Sequence, residues 1–291
     1  MRYRVTHETV YTYSTDVSVS HHVAHLMPRD LPGQRGLSHE LILEPTPATR
    51  SSRVDYFGNE TTIFTMIGAH RRLKVTAVSE VECQTIQAPL EGPAWEATRD
   101  ALAGSSDSAL LEAQQFIYPS QCVPKQAASA EYAAESFRPG RSLLDVAVEL
   151  SSRIHKDFSF DTRATTVATP LEQVWKNRRG VCQDFAHLHI SCLRAFGLAA
   201  RYVSGYLETL PPPGAEKLVG ADASHAWVQV FIPPNGWVPL DPTNDLLPSD
   251  RHIVLAWGRD FDDVSPIRGV IVGGGKHTLT VGVDMTPVKT E

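Results

Sequence analysis

Cysteine is scarce in this chain: four thiols, Cys83, Cys122, Cys182 and Cys192, are spread over 291 residues. Small secreted domains stapled by disulfides carry a denser, paired set, so no disulfide framework is expected. A reducing, cytoplasmic setting is the default that follows. Long hydrophobic runs are also missing. Nothing approaches the ~18 consecutive apolar residues of a membrane-spanning helix, so no membrane association is expected. The opening stretch MRYRVTHETVYTYSTDVSVS has a positive start but no apolar h-region, and no signal peptide is expected. An excess of positive charge is absent as well. The 27 Lys and Arg against 33 Asp and Glu give a formal net charge of −6. A surface built to hold phosphates needs the opposite balance, so nucleic acid is not an expected partner.

What is present suits an ordinary globular protein, with 42% hydrophobic and 21% charged residues. The length allows one large or two medium domains at roughly 100–200 residues each. Residues 1–85 read as a small antiparallel β domain. Tyr3, Val5, Val10, Tyr11 and Tyr13 open a strand over 2–17, and further strand-like runs cover 41–43, 61–67 and 73–81. Leu31-Pro32-Gly33 and Phe57-Gly58-Asn59 are the turn signals between them. Residues 86–141 are richer in Pro and Ala and read as a linker with helical turns, one starting at Ser105 to Ser108. Ser142 is placed to cap a helix through Ile154, on the helical spacing of Leu143, Val146, Leu150 and Ile154. A second helix covers Pro170 to Lys176 and is ended at Gly180. A third runs from Cys182 to Phe196, with Gly197 just past its end. Strand patterns follow at 200–206, 226–232 and 237–240, the last two joined by Pro233-Pro234-Asn235-Gly236. Pro211 to Gly214 reads as a short loop. Residues 251–291 read as a C-terminal β extension, with a final hairpin around Gly273-Gly274-Gly275.

Three residues at element ends point to chemistry. Cys182 stands where the chain enters a helix, directly after Gly180-Val181. A thiol there meets the positive end of the helix dipole and unpaired N–H groups, which favour the nucleophilic thiolate. The same N–H groups can hold a developing oxyanion. Gly180 would leave room for substrate to approach the sulfur. His225 begins one strand, and Asp241 ends the next. In an antiparallel hairpin those ends lie side by side, about 5 Å apart, which brings a carboxylate to the imidazole. The carboxylate would fix the ring and stabilise its protonated form. Any one of the three has a plain structural reading, since a lone cysteine is commonly a small buried residue. Their conjunction is what suggests catalysis.

Four blocks in order carry a resemblance: Arg179-Gly-Val-Cys-Gln-Asp-Phe-Ala-His-Leu, Phe196-Gly-Leu-Ala-Ala-Arg-Tyr-Val-Ser-Gly-Tyr, Ser224-His-Ala-Trp-Val-Gln-Val and Gly236-Trp-Val-Pro-Leu-Asp-Pro-Thr-Asn. Over residues 142–250 the chain resembles the core of the bacterial transglutaminase-like superfamily. Its first 85 residues resemble the β-rich region that precedes that core in bacteria. The resemblance implies an α+β fold in which a helix bearing Cys182 packs on an antiparallel sheet bearing His225 and Asp241. It also implies a papain-like mechanism through a thioester. The expected activity is a peptidase or amide hydrolase acting on peptide or protein amides. A transferase joining a glutaminyl group to an amine is the alternative, and a non-catalytic binding module of the same fold is the second. Fold does not choose among them.

Other residues near the blocks carry weaker expectations. Gln173 is a candidate second oxyanion donor. Gly180, Gln183, Ser224, Trp175 and Trp227 are candidates for the substrate groove, although each Trp, Trp237 included, has packing as its plain reading. Asp184 reads as a dipole-favoured carboxylate, with anchoring of a neighbouring loop as the alternative. Cys182, His187, His189 and Cys192 share one helix but cannot converge on a metal. At about 100° per residue His187 points roughly 140° from Cys182, and His189 lies about 10 Å along the axis. No metal site is expected there. His189 reads as a buried, hydrogen-bonded core residue and Cys192 as core. His21, His22 and His25 read as solvated histidines. No Asp-rich calcium loop is present, and no cofactor is expected. Neither the acyl acceptor nor the oligomeric state is legible in the chain.

Overall fold

The computed structural model describes residues 1–87, 89, 91–209 and 223–288. In chain order it begins with strands β1 (Arg2–Ala24), β2 (Gln34–Glu44), β3 (Thr49–Val54) and β4 (Glu60–Cys83). Helices α1 (Trp95–Gly104), α2 (Ser108–Gln114), α3 (Ala127–Ala133) and α4 (Leu143–Asp157) follow. Then come β5 (Ser159–Phe160), α5 (Leu171–Asn177), β6 (Arg179–Gly180) and α6 (Cys182–Ala195). The chain closes with β7 (Ala200–Leu207), β8 (Ala223–Ile232), β9 (Gly236–Leu240), β10 (His252–Gly258), α7 (Phe261–Val264), β11 (Ile267–Gly273) and β12 (His277–Pro287). This is the expected α+β class. The Pro211 to Gly214 loop lies outside the described residues.

The N-terminal sheet is built from long ribbons. β1 and β4 pair along most of their length, and the expected strands at 61–67 and 73–81 are one continuous β4. On the far side of β4, β2 covers one half and β3 the other. On the far side of β1 the same division is made by β12 and β11. Both run antiparallel to β1 in nearly one register, so 267–287 is a single line of strand and not a hairpin. Gly273, Gly274 and Gly275 do adopt left-handed φ of 95, 84 and 58°. They form an outward bulge that matches one in β1. Ser14 N–H donates to Lys276 O (2.8 Å), Thr15 N–H to Gly274 O (3.2 Å) and Gly274 N–H to Asp16 O (3.0 Å). The glycines are needed for contact as well as for φ, since a Cβ on Gly273 would lie 2.4 Å from Asp16 O. Residues expected as a separate extension are thus divided between the two sheets: 267–287 completes the N-terminal one, and β10 enters the other.

That second sheet is antiparallel with order β10-β7-β8-β9. α6 packs on it through Phe185, Leu188, Cys192 and Leu193 against Tyr202, Ala226, Val228 and Val230. The segment expected as a linker, 86–141, is part of this unit. Trp95, Val123, Ala133 and Phe137 are buried in the same core as α6, and Leu102, Ala113 and Phe116 form a second cluster with Phe231. Its prolines divide helices without preventing them from packing. α2 begins as expected, with Asp107 accepting from Ala109 N–H (2.9 Å) and Leu110 N–H (3.2 Å). Ser142 does precede α4, but its side chain makes no capping bond. α5 ends at Arg178, whose φ of 52° is left-handed, and not at Gly180. The two sheets meet through Tyr3, Val5, Val283 and Met285 packed on Tyr206, Ile253 and Leu255. His22 and His25 are buried, contrary to the solvated reading: His22 stacks on Phe64 at 4.9 Å, and His25 donates to Ser265 O at 3.0 Å.

Candidate active site

Cys182 is the first residue of α6 and is only partly buried. The entry to the helix is fixed by Asp184. Its carboxylate accepts Val181 N–H at 2.8 Å and the Thr165 hydroxyl at 2.6 Å. Asp184 therefore ties down the loop before α5, the alternative considered for it, while burial raises its carboxyl against the favour expected from the helix dipole. Gly180 serves that arrangement. A Cβ there would come within 2.5 Å of Asp184 Oδ2, so the glycine makes room for the carboxylate and not for substrate. The first N–H groups of a helix have no intrahelical acceptors, which leaves them at the sulfur's side of α6.

β8 and β9 form the expected hairpin, with Val228 opposite Leu240 and Ile232 opposite Gly236. Continuing that register by one residue sets Asp241 opposite Trp227, so Asp241 is diagonal to His225 and not directly across. The side chains still meet, because diagonal neighbours share a face within reach of long side chains. His225 Nε2 lies 2.7 Å from Asp241 Oδ2. Its other nitrogen, Nδ1, is left for Cys182, which lines the same cleft and helps hold a charge on the ring. Beneath the imidazole lies the fully buried Trp227 ring, stacked at 5.9 Å. Gly205 permits this packing, since a Cβ there would lie 2.5 Å from the indole and 2.0 Å from Ile253 O.

Asp241 is fully buried and receives more donors than His225 alone. Asn244 Nδ2 donates to Oδ2 at 2.7 Å, and the backbone N–H groups of Thr243 and Asn244 donate to Oδ1 at 3.0 and 3.2 Å. A second histidine, His252, places Nε2 at 3.3 Å from Oδ2, while its Nδ1 accepts Ser249 N–H at 3.3 Å. Burial holds His252 below its ordinary pKa, against the pull of Asp241, so it is neutral at pH 7. The neutral ring with hydrogen on Nε2 satisfies both contacts. Burial would raise the Asp241 carboxyl, but His225, His252 and Asn244 outweigh it and hold it well below the usual carboxylate range. Burial likewise works against a charged His225. The Asp241 hydrogen bond and then Cys182 prevail, and its pKa is pushed up to about 10. The site thus favours an imidazolium next to a sulfur. Burial pushes the Cys83 and Cys122 thiols up to about 12 and raises Cys192 further.

Cys182 and His225 open into a cleft of about 480 Å³, a size suited to a small ligand or a peptide side chain. Gln183 and Ser224 line it, as do Tyr202, Ser204 and Ala226 of the second sheet. The four remaining groove candidates do not, Gly180 being packed against Asp184. Gln173 is exposed on α5, and Trp175 and Trp227 are buried in packing clusters. Gln173 is absent from the cleft lining, so proximity in sequence to Cys182 was no guide for it. The opposite wall comes from the N-terminal sheet, where His7, Thr9, Tyr11, Leu279 and Val281 line the cleft. No sequence signal pointed to these residues. Nor did one point to His252, which lies beyond the four blocks. Asn244 was within reach, as part of the turn that follows Asp241.

Among the described residues, the His, Cys and acidic side chains near enough to share a metal are His225, Asp241 and His252. Asp241 Oδ2 is already taken up by three N–H donors, so the donor chemistry reads as a hydrogen-bond network. Cys182, His187, His189 and Cys192 form no such group. His187 accepts Phe261 N–H at 3.2 Å, and His189 and Cys192 are fully buried in the core.

Comparison with known proteins agrees with this fold. The model of the bacterial transglutaminase-like N-terminal region matches residues 3–82, and that of the transglutaminase-like superfamily matches residues 130–242. An uncharacterized protein of Mycobacterium tuberculosis is 44% identical over 296 residues, covering 98% of this chain and 93% of its own. Another from Mycobacterium leprae is 32% identical, with 98% of both chains covered. A protein-glutamine gamma-glutamyltransferase of Pseudomonas aeruginosa is 37% identical over 93 residues, 32% of this chain and 12% of that one. Among solved structures, a proposed cysteine protease from Cytophaga hutchinsonii superposes with a TM-score of 0.76 at 19% identity. That match covers 100% of this chain and 92% of the other, and it shows a shared fold.

Proposed function

The chain belongs to the transglutaminase-like superfamily, and from that premise we propose that it is a cysteine-dependent enzyme that hydrolyses peptide or protein amides through a thioester. The observation that carries the reading is the buried Asp241, 2.7 Å from one nitrogen of a His225 ring that shares its cleft with Cys182 at the start of α6. The Cys182 thiolate attacks the amide carbonyl, and the N–H groups at the start of α6 receive the oxyanion. His225, held charged by Asp241, gives its proton to the leaving amine as the C–N bond breaks and a thioester remains. Water then enters, His225 takes its proton, and the carboxylic acid leaves Cys182 free. Asp241 and His252 stay ionised and neutral respectively throughout. The four cysteines are free, which suits the reducing, cytoplasmic setting that is part of this proposal.

A second reading has a specific observation behind it. A stretch of 93 residues is 37% identical to part of the Pseudomonas aeruginosa protein-glutamine gamma-glutamyltransferase. In that reading an amine resolves the thioester in place of water. Product mass spectrometry on a library of glutaminyl and other peptides, with and without added amine, decides between them. Peptide cleavage or deamidation alone supports hydrolysis. A mass gain equal to the amine less ammonia supports transfer. No product from any peptide, together with an unreactive Cys182, supports a binding module that has kept the fold.

A further inference from the structure

The face of the N-terminal sheet that meets the catalytic unit runs out over the nucleophile. β1 and β12 pair with Val5 opposite Met285, His7 opposite Val283, Thr9 opposite Val281 and Tyr11 opposite Leu279. Residues two apart on a strand share a face, so these pairs form one stripe. At one end Val5, Val283 and Met285 are buried against Tyr206, Ile253 and Leu255. His7 closes that buried part, with Nδ1 at 3.0 Å from the Tyr206 hydroxyl and Nε2 at 2.9 Å from the Thr9 hydroxyl. At the other end the stripe is uncovered. Val283 and Met285 are 1% and 0% exposed, whereas Val281 and Leu279 are 47% and 53% exposed. The uncovered end lines the same cleft as Cys182 and His225.

An apolar stripe that is core on one side and open on the other, beside a nucleophile, is surface for a ligand to cover. Among the described residues the cleft lining contains no Asp, Glu, Lys or Arg. Away from the Cys182–His225 pair, a charged side chain entering it would lose water and meet no carboxylate, ammonium or guanidinium among these residues, whereas an apolar one would gain by burial. We propose that the N-terminal β unit supplies one wall of the substrate site, with Leu279, Val281 and Tyr11 forming a subsite for an uncharged apolar side chain next to the reacting amide. The occupant is an extended peptide, because the wall is a strand pair running along the cleft. This inference rests on the acyl-transfer reading above.

Short peptides ending in a chloromethyl ketone, with Leu, Asp or Lys next to the ketone, test it. Thiolate attack forms a thioether at Cys182 and releases chloride, so the labelling rate reads how well each peptide sits. The Leu peptide is expected to label Cys182 about 10- to 100-fold faster than the Asp or Lys peptides. Replacing both wall residues, Leu279→Ser with Val281→Ser, erases most of that advantage and leaves labelling by iodoacetamide unchanged. Both side chains are half exposed, so the fold survives the change. As a second variant, Leu279→Lys should shift the preference toward the Asp peptide. Equal rates for the three peptides on the wild-type protein, or an undiminished Leu preference in the double variant, would overturn the proposal. Should iodoacetamide not react selectively at Cys182, it is the acyl-transfer reading that fails. The same peptides ending in a plain amide, bound to Cys182→Ala and followed by fluorescence anisotropy, then judge the subsite alone. Tighter binding of the Leu peptide supports it, and equal binding rejects it.

Discussion

Replacing Asp241 by Asn changes one atom and removes one charge, and the structure says what each change costs. Raising an imidazole from 6.5 to about 10 corresponds to roughly 5 kcal/mol in favour of the charged ring, at ~1.4 kcal/mol per tenfold. Cys182 supplies part of that preference. The carboxylate's share is then roughly 3–4 kcal/mol, or about 10²- to 10³-fold in kcat/KM if it is felt fully in the transition state. The comparable change in a serine protease triad costs about 10⁴-fold, which bounds the estimate from above. The amide is not structurally silent either. Oδ2 accepts from His225, Asn244 and His252, while Oδ1 accepts from two backbone N–H groups. Wherever the Asn NH₂ group lies, it faces donors, so a stability loss of about 1–3 kcal/mol is expected beside the kinetic one. The assay is kcat/KM against pH on a peptide found by the library screen, with thermal melting of both proteins. The alkaline limb, near pH 10 in the wild type by this account, should fall toward the ordinary imidazole range in Asp241→Asn. Unchanged kinetics and an unmoved limb would mean that the carboxylate serves only the turn at Pro242.

His252→Ala is expected to lower kcat/KM by roughly 10- to 100-fold, the worth of one hydrogen bond to a charged acceptor. His252→Gln, which can still donate, should restore part of it, and an alkaline limb unmoved in His252→Ala would deny the residue a positioning role. Gly180→Ala forces a Cβ to within 2.5 Å of Asp184 Oδ2 and should destabilise by about 1–3 kcal/mol as an overpacked site; an unchanged melting temperature would show that Asp184 is free to move. His225 binds its proton more tightly folded than unfolded, so its contribution to stability is complete below pH 6.5 and is lost as pH rises to about 10. His225→Gln should therefore flatten the fall in stability over that window, as read by urea melts, and an identical slope in both proteins would contradict the raised pKa.

Much of the fold was legible because local signals agreed with tertiary packing. Pro233 to Gly236 announced the β8–β9 hairpin, the apolar spacing from Phe185 to Phe196 announced α6, and Gly197 its end. The hairpin alone brought His225 and Asp241 within reach, although the actual register places them on a diagonal. Signals that depend on distant partners were misread. Three consecutive glycines suggest a chain reversal, and only the matching bulge at Ser14 to Asp16 makes 267–287 one strand. Prolines between 86 and 141 suggest a linker, and only the fit of Trp95 and Phe137 against the catalytic core reveals a packed layer. Gln173 was judged by its nearness in sequence to Cys182, but α5 directs it to solvent. The cleft's second wall had no local signature at all, since Leu279 and Val281 look like any strand residues until the two sheets are brought together.

The central claim is that Cys182 carries the acyl group, and rapid-quench mass spectrometry during turnover of an active peptide tests it most directly. The account predicts a transient mass increase on the intact protein equal to the acyl fragment. That adduct should map to the peptide containing Cys182, be labile to hydroxylamine as a thioester is, and be absent from Cys182→Ala together with turnover. Turnover that proceeds with no adduct, or that persists in Cys182→Ala, would contradict it.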